Sequence, residues 1–275
     1  MVGGIPLSFY NMSGASNGCC KPGIGKSRGF KNQLKLSLKE GIAVLKVENL
    51  SVTYRQDNLK IPAVKDLSFS LEPGQTLGII GESGSGKTTL GLAIMGILNS
   101  NAIVEGKITY NGVNLLELTP RLLNDYRWKH IAMVFQNGLE RLNPLLTVRE
   151  QIQECIARHL NLKGREADRK VSDLLEQVNL EPLVADCFPH QLSGGMRQKV
   201  LIAMALACDP KVLIVDEPTS SLDAISKAEI IKLFAKLQRE KGFAMIVISH
   251  DFSVITSLSG KICVMYRGFI MEEGL

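Results

Sequence analysis

Gly81-Glu82-Ser83-Gly84-Ser85-Gly86-Lys87-Thr88, followed by Thr89, is the stretch that decides the reading of this 275-residue chain. It fills every fixed position of the pattern G-x-x-x-x-G-K-[ST], in which a glycine-rich loop wraps phosphate. The flanks suit that task. Thr76-Leu77-Gly78-Ile79-Ile80 predicts a buried strand, and the run from Thr89 to Met95 predicts a helix. Glycines let the backbone curl so that successive N–H groups face phosphate oxygens. The helix N-terminus adds about half a positive charge at the same point. Lys87 is placed to reach the β- and γ-phosphates, and Thr88 to offer its hydroxyl to Mg²⁺. A bare glycine turn would not need Lys-Thr in register with apolar runs on both sides. The expected ligand is a nucleoside triphosphate.

About 130 residues further on, Val212-Leu213-Ile214-Val215 is a continuous apolar run ending at Asp216-Glu217. Such a run predicts a strand buried on both faces, and the two carboxylates then stand at its C-terminal edge, where ligands of open α/β sheets collect. Asp216 suits a metal-holding carboxylate. Glu217 suits a base that polarises attacking water. Between the two motifs, Leu192-Ser193-Gly194-Gly195-Met196-Arg197-Gln198 opens another helical run, a second backbone anion site without a lysine.

A single phosphate loop has no need of that second site. With it, the chain resembles the ATP-binding subunits of ABC transporters, whose hallmark is an LSGGQ-type signature; Met196 stands here at its fifth position. The resemblance runs from about Val44 to the C-terminal end and carries roles with it. Gln136 resembles the glutamine that meets the metal and the attacking water. Ser220-Ser221-Leu222-Asp223 resembles the D-loop, with Ser221 where alanine is usual. His250 resembles the switch histidine that senses the γ-phosphate, and Tyr54 the aromatic that stacks on adenine. Singly, each is an ordinary polar or half-buried residue; in this order, and at this spacing, they act as a set. The resemblance implies ATP and Mg²⁺, with Thr88, Gln136 and Asp216 at the metal. It also implies a head-to-tail pair in which Lys87 of one subunit and Ser193-Gly194-Gly195 of the other clamp one triphosphate.

A narrower resemblance surrounds Gln136. Leu142-Asn143-Pro144-Leu145-Leu146-Thr147-Val148 and Pro189-His190-Gln191-Leu192 look like the oligopeptide, dipeptide and nickel importer branch. That branch commonly has Asp-Pro after the glutamine, whereas this chain has Asn137-Gly138. The implied role is to power import of a peptide or a nickel chelate through a separate permease, from the cytoplasmic face of the membrane. The implied partners are permease subunits, a second ATPase subunit in a heterodimer and, indirectly, a solute-binding protein. A soluble relative in DNA repair or translation is the alternative. Repair-type relatives carry long coiled-coil insertions and ribosomal ones carry tandem cassettes, whereas here only 105 residues separate Lys87 from Ser193. A regulator that no longer hydrolyses would not need Gln136, Asp216, Glu217 and His250 together. The end at Leu275, 25 residues past His250, is short for the peptide importers.

Composition agrees. The chain is 45% hydrophobic, enough for a sizeable core. Its apolar runs are far shorter than the ~20 residues that span a bilayer. Of its 32 basic and 27 acidic residues, six bases and one acid fall in residues 1–40, a surplus equal to the whole net charge of +5. The rest of the chain is neutral, so no nucleic-acid partner is expected. Residues 1–42 read as a basic, disordered tail suited to anionic lipid; within it, Gly25-Lys26-Ser27 mimics a phosphate-loop ending without the leading glycine. Cys208 and Cys263 sit in apolar runs and are expected as reduced core residues. The expected fold is α/β, a P-loop NTPase core of the ABC ATPase type over residues 43–275. Strands around 44–72 and 104–110 should form an antiparallel subdomain, and residues of about 138–196 a helical insert.

Overall fold

The computed structural model describes residues 43–57, 59–136 and 142–274. The predicted basic tail and the Asn137-Gly138 step lie outside the described residues.

Among these residues the strands form two sheets. The first is antiparallel, in the order β2-β1-β4-β5, from β1 (Leu45–Gln56), β2 (Leu59–Leu71), β4 (Ala102–Tyr110) and β5 (Val113–Asn114). The second has the order β10-β9-β3-β8-β7-β6. It holds β3 (Thr76–Ile80), β6 (Ile131–Val134), β7 (Val212–Asp216), β8 (Ala244–Ser249), β9 (Lys261–Tyr266) and β10 (Phe269–Gly274). All its pairings are parallel except that of the edge strand β10.

The apolar runs explain this sheet. Every residue of β6, β7 and β8 is buried, as a parallel sheet covered on both faces demands. Alternate side chains then serve different cores. Val212, Ile214, Ile246 and Ile248 face a core shared with the antiparallel sheet and with α1 (Lys87–Met95). Leu213, Val215, Met245 and Val247 face the other core, shared with the later helices. Those are α3 (Val148–Leu160), α4 (Arg165–Gln177), α5 (Gly194–Leu206), α6 (Ala224–Lys241) and α7 (Phe252–Leu258); the short α2 (Pro120–Tyr126) precedes β6.

Local signals mark several ends. Thr147 and Glu150 form a reciprocal capping box on α3. The buried Gln151 amide ties the preceding loop to that helix, accepting from Asn143 N at 2.9 Å and donating to Leu146 O at 3.0 Å. Helices α3 and α4 occupy the stretch between β6 and α5. Cys263 is buried as expected, whereas Cys208, just past the end of α5, is half-buried and packed against the helical core.

Helix α1 lies close against the sheet. A Cβ on Gly91 would stand 3.2 Å from Met133 Cε and 3.4 Å from both Ile214 Cγ2 and Ile248 Cδ1. Gly91→Val should therefore overpack the layer and cost about 1–3 kcal/mol, a loss that thermal unfolding would read as a lower Tm.

Candidate nucleotide site

Strands β3, β8, β7 and β6 run parallel and end at one edge of the sheet. The loop 81–86 leaves β3 there, His250 leaves β8, Glu217 leaves β7 and Gln136 stands two residues beyond β6. Residues distant in sequence thus share one edge because the strands bearing them are in register.

The glycines of the loop are required by what surrounds it. Gly86 caps α1 at φ 101°, and Gly84 stands at φ 81°, both in the left-handed region. A Cβ on Gly86 would fall 2.1 Å from Ala63 O on β2, and one on Gly81 would fall 2.1 Å from Met265 O on β9. The turn between β9 and β10 fastens this seat, since Gly268 N donates to Ser85 O at 3.0 Å while its carbonyl accepts from Lys65 N at 2.8 Å. Sequence reading did not find this contribution of the C-terminal hairpin.

Lys87 folds back into the loop, donating to Gly81 O at 2.7 Å and Glu82 O at 2.8 Å. Its side chain lies where phosphate would be cradled, with two neutral carbonyls as partners. Burial pushes its ammonium down, and the Glu217 and Asp216 carboxylates partly oppose that. Asp216 is 1% exposed. Burial pushes its carboxyl up to about 6; the Thr88 hydrogen bond opposes this, Glu217 reinforces it, and Lys87 opposes it. One oxygen, Oδ1, is buried with no partner among the described residues. An orphaned carboxylate oxygen beside a threonine hydroxyl is the hard-oxygen pairing that Mg²⁺ takes with phosphate. The residues present fit the ion.

Glu217 shows what the sequence alone did not. It adopts φ 47°, rare for a residue with a Cβ, and its N–H donates to Ile248 O at 2.9 Å. The carboxylate thereby turns across the end of β8. Oε1 accepts from His250 N at 2.9 Å and lies 2.8 Å from His250 Nδ1, while Oε2 accepts from Ser249 Oγ at 3.3 Å. The His250 ring itself is exposed. Ser249 was legible as the neighbour of His250, but its bond to Glu217 was not.

The remaining predicted residues are placed as follows. Tyr54 is half-buried on β1, paired with Ile61 and Ala102. Gln136 is exposed, as are Glu82, Ser83 and Thr88; Thr89 is half-buried in α1, and Ser85 is buried. Ser193 caps α5, its Oγ accepting from Met196 N at 3.2 Å. Asp223 caps α6, accepting from Ile225 N and Ser226 N at 3.0 Å each. These two helix starts adjoin, since a Cβ on Gly195 would lie 3.2 Å from Ser226 Oγ. The neighbours of Gly194 and Gly195, Leu222 and Ser226, are not those of the phosphate loop.

Residues 64–220 match the family model described as "ABC transporter". The chain belongs to the ABC transporter family. This ABC ATPase is 42% identical over 241 residues to the oligopeptide transport ATP-binding protein OppD of Escherichia coli, across 87% of this chain and 72% of that one. It is 42% identical to the glutathione import ATP-binding protein GsiA of Escherichia coli O157:H7, across 84% of this chain and 38% of that one. Among solved structures it resembles the ATP-binding cassette MJ0796, seen as a dimer in a post-hydrolysis state bound to ADP and Pi. The TM-score is 0.74 at 30% identity, over 84% of this chain and 97% of that one. The expected fold, an ABC-type P-loop core, is thereby shown. Among the described residues no helix is long and apolar enough to cross a membrane.

Asp216 also sets a pH dependence for this cassette without nucleotide. Its folded pKa of about 6 lies above the ordinary carboxylate value. The folded state therefore binds the proton more tightly than the unfolded chain. Stability should fall as pH rises from about 4 to 6 and level off above that. Asp216→Asn should raise Tm at pH 8, with little gain at pH 4, in a nucleotide-free thermal scan. An equal change at both pH values would remove burial of the charge as its cause.

Proposed function

We propose that this ABC ATPase powers import of a peptide through a separate membrane permease by binding and hydrolysing ATP. The observation that carries the chemistry is the sheet edge where Lys87, the Thr88–Asp216 pair and the His250-held Glu217 meet. Lys87 exchanges two loop carbonyls for the β- and γ-phosphates, which offer it charge where the carbonyls offer only dipoles. The loop N–H groups and the start of α1 take the remaining phosphate oxygens. Tyr54 stacks on the adenine. Thr88 and Asp216, with Gln136, hold Mg²⁺, which when bound neutralises phosphate charge. Glu217 accepts a proton from the attacking water as its general base, and His250 orients that carboxylate and reaches the γ-phosphate.

Ser193, Gly194, Gly195 and Asp223 serve the ATP of a second subunit. The dimeric form of the structural relative supports a pair of cassettes; that the partner is a different ATPase subunit is our reading. Residues 43–275 act as one ATPase domain in which helices α3 and α4 form the insert that meets the permease at the cytoplasmic face. Leu145, just before α3, and Leu183, past the end of α4, are 81% and 76% exposed, and suit an apolar docking partner. Peptide is preferred to nickel because the named relatives import peptides and glutathione. A solute-binding protein acts further upstream, on the permease.

Two measurements test this. Glu217→Gln should lower ATP turnover by about 10²–10⁴-fold and accumulate an ATP-bound dimer in size-exclusion chromatography; normal hydrolysis would remove Glu217 as the base. Affinity capture of the native protein from gently solubilised cells should recover a polytopic permease and a second ATPase. Recovery with ribosomal or DNA-repair components alone would overturn import.

A further inference from the structure

We propose that Lys227 is a positioning residue for ATP hydrolysis, acting through Asp251 on the segment that holds Glu217. The inference rests on Glu217 being the base, and extends the machinery to a helix on which the sequence offered no signal.

Lys227 lies in the first turns of α6, four residues past the capping Asp223. Its ammonium donates to Asp251 Oδ2, and its side chain is 27% exposed. The other oxygen of Asp251 accepts from Ser253 N at 2.8 Å and Ser253 Oγ at 2.6 Å. One carboxylate therefore fastens α6 to the start of α7. The Lys227 bond, with the Ser253 bonds, holds its carboxyl far below the usual range. Asp251 N in turn donates to Ser249 Oγ at 3.1 Å, and Ser249 Oγ donates to Glu217 Oε2 at 3.3 Å. His250, between them, holds Oε1. Ser249 and His250 thus make the side-chain hydrogen bonds described above for Glu217, Asp251 holds Ser249, and Lys227 anchors Asp251 to α6.

Position also matters. The same turn of α6 carries Ser226, which adjoins Gly195 of the signature. In a head-to-tail pair, Lys227 stands between the carboxylate working on one ATP and the glycines clamping the other. A partly exposed ion pair contributes little to stability, whereas small displacements of a reacting group are costly to rate. Loss of Lys227 should fall on turnover rather than on folding.

The test uses the full chain assembled with its partner subunits. Lys227→Met should lower kcat about ten- to a hundredfold, with KM for ATP within about twofold and Tm close to wild type. Lys227→Arg, which keeps the charge and reach, should recover most of the rate. Asp251→Asn should resemble Lys227→Met, and the double variant should be no worse than either, as expected of two residues acting through one contact. A wild-type kcat in Lys227→Met, or a loss that tracks Tm and is not recovered by arginine, would overturn the proposal. Glu217→Gln in the same assembly separates the two ideas. If it lowers turnover as expected while Lys227→Met keeps a wild-type kcat, this inference alone fails; if it hydrolyses normally, the assignment of Glu217 fails and this inference with it.

Discussion

The parallel ladder β3–β8–β7–β6 is the constraint on which the site depends. Ile80 is paired with Ser249 and Asp216 with Ile248, so the three strands reach their C-terminal ends at nearly one level. A register slip of one residue would turn every buried side chain to the opposite face. It would also move His250 away from Glu217. The two cores forbid that slip, because successive residues of β7 belong to different ones. Hydrophobic patterning thereby sets polar geometry: the strands are held in depth by burial, and their polar ends emerge together.

Close approach on the other side of the loop is the second constraint. The carbonyls of Ala63 and Met265 stand where side chains on Gly86 and Gly81 would be. A loop so closely backed cannot sink into the protein, so its N–H groups remain available at the open edge. The antiparallel sheet and the C-terminal hairpin, which supply those carbonyls, serve the phosphate site without contributing a reactive group to it.

Charge completes the picture. Lys87 and Asp216 are both buried, and burial alone disfavours both charged forms. Each lowers the other's cost only in part, and Asp216 keeps an unpartnered oxygen. A polyphosphate with its cation meets both needs at once, offering anionic oxygens to the lysine and positive charge to the carboxylate. Without ligand the site holds unmet electrostatic demand, a common arrangement where binding must be strong and charge-selective.

Much of this was legible in the chain. The Gly81–Thr88 loop and the strand Thr76–Ile80 follow from local rules, because glycine placement and apolar runs act over a few residues. Strand bounds near β6, β7 and β8 follow from continuous burial in the same way. The helical run that the signature opens starts within the signature, at Gly194, since Ser193 caps it and two glycines fit its first turn. What the sequence determined by itself was thus the set of elements and the family of chemistry they carry. The tertiary structure alone decided the left-handed turn at Glu217, its capture by Ser249 and His250, the seat formed by Ala63 and Met265, and the Lys227–Asp251 tie. Each of these joins residues far apart in the chain, and such contacts exist only once sheet register and helix packing have brought them within reach.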